Sequence, residues 1–471
     1  NLRQAGNGDW NTSILKTQNS NEPELDADVK VNFFRFKNVS ITAHSNDNET
    51  YSVEINQANI RGDKYDISFA NGKAIGTKIT EDLLPLSGGF TGEFQLGEES
   101  AVSLSIRNAD INGISLNGKL DYSKDLFTEI QIEKLSVKKL ESIVKEEVLE
   151  GYLSGIMYDG NASLSIKVDG GNILVNWMLP ESGLALSPKI TGFSMVKKGR
   201  LSAEGSYQYF SSTHISSISI NSFQIDSKGF QINGEANCIN TRSANWRVTT
   251  QSTVDAGAPY SSWIPALHST EYSYLPKEGL LYIGSELSIT PWGIVDEFLC
   301  TVESEKLSGA LNAVPYSIGN LRTHFNNNKF QIKTLGYKWG GNVGEVKAEL
   351  FGVENWFDGG AIEGDINLDA EHIDIGSILS WWENRTVAED STASTAFLPS
   401  GSNLSLIIES GNLTWDALEC ESFVTRANLT ASKLKIINST TKTLEGLVRV
   451  EGSFRPSVEG WVLNLSGSAD G

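Results

Sequence analysis

The sequence predicts a mainly β protein of antiparallel strands with a few short helices, and three observations carry that prediction. Apolar and polar residues alternate with period two along much of the chain, the pattern of a strand with one buried face. Short turn-forming pairs separate the alternating runs. The 44 glycines among 471 residues suit tight turns and bulges.

Taken in order, AVSLSI puts Val102, Leu104 and Ile106 on one side, and GISLNGKLDY does the same with Ile114, Leu116, Leu120 and Tyr122. GFQINGEA groups Phe230 with Ile232, NLSLIIES groups Leu404, Leu406 and Ile408, and GLVRVEGSF groups Val448, Val450 and Phe454. Ser, Asn, Lys and Glu fill the opposite faces. Asn117-Gly118, Asp159-Gly160, Gly170-Gly171 and Lys228-Gly229 read as turns between strands. Alternation assigns a face within each strand but not from one strand to the next, which requires the pairing register. A closed sandwich and an open sheet share this pattern.

Helical spacing recurs in two places, residues 134–149 with Leu135, Leu140, Ile143, Val144 and Leu149, and residues 375–383. Three stretches about 120 residues apart, 128–144, 248–267 and 364–382, each run from an alternating strand into an apolar plug, which resembles a degenerate repeat. The middle one is broken by Pro259 and Pro265. Residues 384–402 and 255–279 read as loops.

The formal net charge of −20 repels a phosphate backbone and argues against nucleic acid, and against the chain lying flat on an anionic membrane. Cys238, Cys300 and Cys420 have no zinc-ligand spacing and read as buried free thiols. No apolar run reaches the ~18 residues that span a bilayer. The polar opening NLRQAGNGDWN is no signal peptide; the expectation is that both ends are cut and that any membrane anchor lies upstream.

The one dense cluster of reactive side chains is Asp365, Asp369, Glu371, His372 and Asp374. A hard cation needs oxygens that converge, yet on a strand Asp369 and Glu371 share a face that His372 does not. A solvated outer face is the simpler reading. GISLNGKL at 113–120 fits GxxxxGK but has Leu120 where a P-loop needs Ser or Thr, and its context is a hairpin. The histidines at 44, 214, 268, 324 and 372 are scattered, so no catalytic residues, metal ligands or cofactor are nominated. Trp339, Trp356, Trp381, Trp382 and Trp415 read as core or edge cover in preference to a glycan platform.

With these strands and plugs in place, the chain resembles the AsmA-like family of Gram-negative envelope proteins. GNGDWN at 6–11 is similar to an early Gly-x-x-Asn-Trp signature, with Asp9 where the family usually has Asn. LDAEHIDIGSIL resembles the family's step from a strand into a short helix. LPKEGLLYIGSELSI at 275–289 and the run from 397 to 429 resemble its C-terminal strands. The resemblance implies an elongated, twisted antiparallel sheet curled into an open groove, apolar inside, with short covering helices. It implies an N-terminal part at 1–150 ending in a helix, and a C-terminal β-groove at 151–471 that one sheet can continue into.

It further implies a periplasmic protein, anchored to the inner membrane by an N-terminal helix absent from this chain. Its partners would be phospholipid or another acyl lipid, with other envelope proteins, in lipid transport or outer-membrane homeostasis. The lipid-facing positions would be Val102, Leu104, Ile106, Ile114, Leu116, Leu120, Phe230, Ile232, Leu404, Leu406, Ile408, Val448 and Val450. The alternatives are an envelope chaperone acting by strand pairing and a glycan-binding β-sandwich.

Overall fold

The computed structural model describes residues 34–470 apart from 45–49, 62, 77–79, 97–101, 123–125, 137–155, 187–195, 242–244, 259–274, 291–294, 312–313, 354–358, 384–397, 444–445 and 458–459. The described chain is almost all strand, in one large open sheet of 25 strands. It opens with β1 (Phe34–His44), β2 (Thr50–Arg61), β3 (Lys64–Gly76), β4 (Thr80–Leu96), β5 (Val102–Ile111), β6 (Ile114–Tyr122) and β7 (Leu126–Ser136). Next come β8 (Ile156–Tyr158), β9 (Asn161–Asp169), β10 (Asn172–Leu186), β11 (Val196–Phe210), β12 (Ile215–Ser227), β13 (Phe230–Ile239) and β14 (Trp246–Asp255). The central run is β15 (Glu278–Ile289), β16 (Val295–Leu311), β17 (Val314–Asn326), β18 (Lys329–Trp339), β19 (Asn342–Phe351) and β20 (Glu363–Asp374). Helix α1 (Ile375–Glu383) follows, then β21 (Asn403–Trp415), β22 (Leu418–Thr430), β23 (Leu434–Thr443), β24 (Gly446–Ser457) and β25 (Gly460–Asp470).

Leaving β8 aside, each strand pairs with the next along the chain, β7 with β9; β8 and β9 together line β10. This meander follows from local chemistry. Gly170 and Gly171, with φ of 54° and 80°, make the left-handed two-residue turn that suits strand twist. Asn112 and Gly113, at 54° and 74°, make another, and Gly113 N–H donates to Asp110 Oδ1 at 2.9 Å. Gly229, at φ 77°, closes the β12–β13 hairpin.

Two predicted turns are corrected. Asn117-Gly118 lies inside β6; a Cβ at Gly118 would stand 2.9 Å from the Glu129 carbonyl oxygen, so this glycine permits close strand approach. Asp159-Gly160 is a break between β8 and β9, both antiparallel to β10. The GxxxxGK stretch runs from the Gly113 turn straight into β6, with no helix after it.

One pairing departs from the antiparallel prediction: β20 and β21 are parallel, Glu363 to Asp374 alongside Asn403 to Thr414. A parallel neighbour requires a crossover, and α1 begins it. The predicted 375–383 helix is therefore present, at the end of the strand as expected. The three-fold repeat does not extend to connectivity, because β7 and β14 lead to antiparallel neighbours. The strand of the first stretch persists to Ser136, and the rest of the predicted 134–149 helix lies outside the described residues, as do Trp356 and residues 259–274.

Register shifts mark the sheet throughout: among the described residues, 14 of the 24 strand pairings carry at least one. Many fall at matching heights on neighbours, such as Leu179/Ser182, Glu204/Gly205 and Ile220/Phe223 on β10, β11 and β12. A bulge bends its strand and increases local twist. Beside several of them an aromatic ring faces a glycine directly across the strand pair, as with Trp177 and Gly205, Phe223 and Gly234, and Tyr337 and Gly344.

Among the described residues no second layer covers the sheet. The chain exposes 31085 Å², against about 17,000 Å² for a compact monomer of this length. Among the described residues, eight of the 20 buried apolar residues are alanines, and Cys238 is the largest side chain below 2 % exposure. A packed sandwich buries large side chains between its sheets; here most apolar side chains are only half buried.

Candidate functional site: an apolar sheet face

Registers settle what alternation leaves open, because directly paired residues share a face and residues two apart in a regular strand do too. From β25 the face passes Leu465, Gly452, Ile436, Ala427, Leu406 and Ile366, each paired with the next. It continues through Ala348, Ile332, Thr323, Val302, Ile283, Ser252 and Ile232 to β13. Within β13 it steps to Ala236, then crosses Ile220, Gly205, Trp177, Leu164, Ile132 and Leu116. From Leu120 it passes to Leu104. From Ile106, two residues on, it passes Gly92, Tyr65 and Ile60, and alternates to Ala58, which pairs with Phe36 on β1. One face is apolar from the first described strand to the last.

All thirteen positions nominated from the sequence belong to that face. Leu104 pairs with Leu120 and Ile111 with Ile114, while Val102 holds the backbone position opposite Tyr122. Phe230 pairs with Val254 and Ile232 with Ser252. Leu404, Leu406 and Ile408 pair with Gly364, Ile366 and Leu368. Val448 and Val450 sit across from Thr441 and Ser439. Sequence reasoning missed most of the lining, notably Trp177, Phe223, Phe330, Tyr337 and the three cysteines, which the pairings put on the same face.

Hydroxyls on this face find partners within the protein: Thr425 Oγ1 lies 2.6 Å from Ser439 Oγ, Thr250 Oγ1 lies 2.6 Å from Ser285 Oγ, and Ser304 Oγ donates to the Leu280 carbonyl at 2.6 Å. Burial pushes the Cys238 and Cys300 thiols up, which keeps them protonated and inert near neutral pH. Toward the sheet ends the lining opens to solvent: Leu465 is 52 % and Phe36 43 % exposed.

The opposite face is polar. Lys347 meets Glu345 at 2.9 Å, Lys329 meets Glu349 at 2.7 Å, and Lys119 meets Asp121 at 2.6 Å. These exposed pairs add little stability but keep the face wet. Asp365 and Asp369 belong here, paired with Glu349 and Glu345. Glu371 is the extra residue of a bulge, and His372 Nε2 lies 3.4 Å from Thr414 Oγ1. Asp374 caps α1: its Oδ1 accepts from Ser377 N–H at 3.3 Å, while its own N–H donates to Asn342 Oδ1 at 2.8 Å. Asn342, buried, also donates through Nδ2 to Ser377 Oγ at 2.9 Å. The acidic cluster is thus part solvated face and part helix cap. No group of three or more His, Cys, Asp or Glu is placed to hold a metal among the described residues.

Half-buried Trp339 pairs with Tyr316 on the apolar face, and Trp415, 50 % exposed, closes the β21–β22 hairpin. The described clefts open between polar-face side chains, the one at Arg35, Arg61, Lys64 and Arg107 holding about 650 Å³. No helix among the described residues is long and apolar enough to cross a membrane. Comparison with protein-family models, with curated proteins and with solved structures finds no match.

Proposed function

We propose that the chain is an AsmA-like lipid-handling protein whose apolar face binds and shields acyl chains. The observation that carries this reading is the unbroken apolar face from β1 to β25, with no second layer over it among the described residues. An acyl chain in water costs about 0.8 kcal/mol per methylene, on the order of 10 kcal/mol in all. Carrying one requires no reactive group, only a strip from which water is displaced. With β8 and β9 sharing one position beside β10, the strands at about 4.8 Å spacing give a strip about 110 Å long, traversed by rows such as Leu404, Leu429, Leu434 and Phe454.

The same reading takes the register shifts as the device that twists the sheet and curls it into a groove, the flat rings over glycines lining the bends. Its setting is the periplasm, with an inner-membrane anchor upstream, as the family resemblance implies; its role is lipid transport or outer-membrane homeostasis. Native mass spectrometry of the purified chain, followed by lipid extraction, tests it. Phospholipid bound in stoichiometric amount is the expected result. A lipid-free chain that gains no mass when offered detergent-solubilised phospholipid refutes it, and a bound client peptide in its place favours the chaperone alternative.

A further inference from the structure

We propose that the polar face of β13 to β16 carries a binding site for a neutral glycan, independent of the apolar face. Its floor is Gly284. Asn233, Gln251, Gly284 and Thr301 are successive partners across the four strands. Elsewhere a ring covers such a glycine, as Trp177 covers Gly205 and Phe223 covers Gly234. Gly284 has no such cover: a Cβ built there would meet only Thr301 Oγ1, at 2.8 Å. It lies inside β15, at neither a turn nor a register shift. A strand glycine of this kind marks a place where a ligand approaches the backbone closely.

The walls of the cleft match a sugar ring. Tyr282 stands two residues along β15 on the same face, 47 % exposed, opposite Thr253 and Glu303. Two other rings of the polar face, Phe127 and Phe351, lie under the ammonium groups of Lys167 and Lys329. Among the described residues no cation stands over Tyr282. Asn233, Gln251 and Glu303 are exposed, and among the described residues neither they nor Tyr282 make a side-chain hydrogen bond or ion pair. The cleft holds about 340 Å³, within the range of about 300–1,000 Å³ for small-molecule sites. Glu303 is its one charged side chain, where each of the other four clefts described has two or more. A pyranose offers an apolar C–H face to an aromatic ring and a rim of hydroxyls that donate and accept. The two amides return both roles, and the Glu303 carboxylate accepts. Thr301 Oγ1, which donates to the Gly284 carbonyl at 3.5 Å, keeps lone pairs to accept with. A phosphate or sulfate finds no cation in this lining. A peptide strand finds no edge, because β14 and β15 are bonded on both sides.

The test applies the full chain to an array of neutral gluco-, galacto-, manno- and N-acetylated oligosaccharides beside uronic-acid ones. Calorimetry follows, with the best neutral glycan as the free oligosaccharide. Binding to a neutral glycan is expected, falling about tenfold or more in Tyr282→Ala and in Asn233→Ala/Gln251→Ala. Tyr282→Phe, which keeps the ring, keeps most of the affinity. Phe210→Ala removes a ring of similar exposure, 46 %, outside the cleft and leaves binding unchanged. Binding is also expected to hold toward about 1 M salt, where ionic attraction is screened within about 3 Å. Urea titration of each variant separates a lost contact from a lost fold. No neutral-glycan binding on the array or in saturation-transfer spectra, a preference for the uronic acids, or undiminished binding by Tyr282→Ala overturns the site. Phospholipid binding by Tyr282→Ala matches that of the parent chain, so the apolar-face reading stands or falls separately.

Discussion

The phenol of Tyr65 lies across Gly92, and its hydroxyl donates to the Ser105 carbonyl 2.6 Å away. One side chain from β3 thus spans β4 to reach β5, and any Cβ at position 92 meets the ring and the Ser105 carbonyl. Phe223 over Gly234 repeats the arrangement, the ring Cζ standing 2.6 Å from where a Cβ would be built. Gly92→Val and Gly234→Val are expected to cost about 2–4 kcal/mol each through overpacking. Gly319→Ala, whose Cβ meets only the Glu305 carbonyl at 3.8 Å, is expected to change stability by less than about 1 kcal/mol. Urea titration of the three variants checks the contrast.

Alkali is expected to weaken the fold. Burial raises the pKa of Tyr65, Tyr158, Tyr316 and Tyr337 above the ordinary phenol value. For an acid raised in the folded state, the stabilisation is fully present below the unfolded value of about 10 and is lost as pH rises through the higher folded values. Unfolding free energy is expected to hold level to about pH 9 and to fall above it. A Tyr65→Phe/Tyr337→Phe variant loses part of that slope; an unchanged slope contradicts the assignment.

Thiol labelling reports the same burial. Cys238, 1 % exposed, and Cys420, 3 % exposed, are expected to react with a disulfide reagent only through local opening, and Cys300 sooner. In denaturant all three react alike. Fast native labelling of Cys238 means that the centre of the sheet is not packed as described.

At the crossover, Asp374→Ala removes the cap of α1 and is expected to cost about 1 kcal/mol. Asn342→Leu, which removes a buried side chain bonded to Asp374 N–H, Ser377 Oγ and the Trp339 carbonyl, is expected to cost about 2–3 kcal/mol. Amide exchange in residues 375–383 is expected to speed in both. If only Asn342→Leu has an effect, the carboxylate does not cap the helix.

Lipid binding separates the two faces at a place where folding is least disturbed. Leu463 and Leu465 are on the apolar side of β25 but 56 % and 52 % exposed, so Leu463→Asp/Leu465→Asp costs little stability. It is expected to lower bound phospholipid by about half or more, since a carboxylate at an acyl contact must desolvate. Ser466→Asp, on the other side of the same strand, leaves it unchanged. Equal losses in both variants place the lipid elsewhere.

Strand identity was legible in the sequence because period two is a property of each strand alone. Val448 and Val450, or Leu404 to Ile408, are unambiguous without neighbours. The face across strands was not legible: Leu116 meets Ala109 and not Arg107 or Asn108 because a bulge intervenes between Ile106 and Ala109, and nothing local announces it. Asn117-Gly118 misled because the same glycine serves a turn or a close strand approach. The parallel β20–β21 pair depends on where the chain returns after α1, which no short window specifies. The acidic run 365–374 was legible as solvated surface, but the cap at Asp374 needed Ser377 in place. The basic cleft escaped notice because Arg35, Arg61, Lys64 and Arg107 are ordinary surface residues until register joins them.

Because each strand bonds chiefly to its predecessor and successor, the molecule is close to a one-dimensional array, in which stability is a sum of nearest-neighbour terms. Its reach is then a counted quantity. Removing one hairpin shortens it by about 10 Å and leaves the distant pairings intact, so evolution or an engineer can adjust the span in steps. The β20–β21 crossover is the exception, a fixed joint in an otherwise extendable ruler.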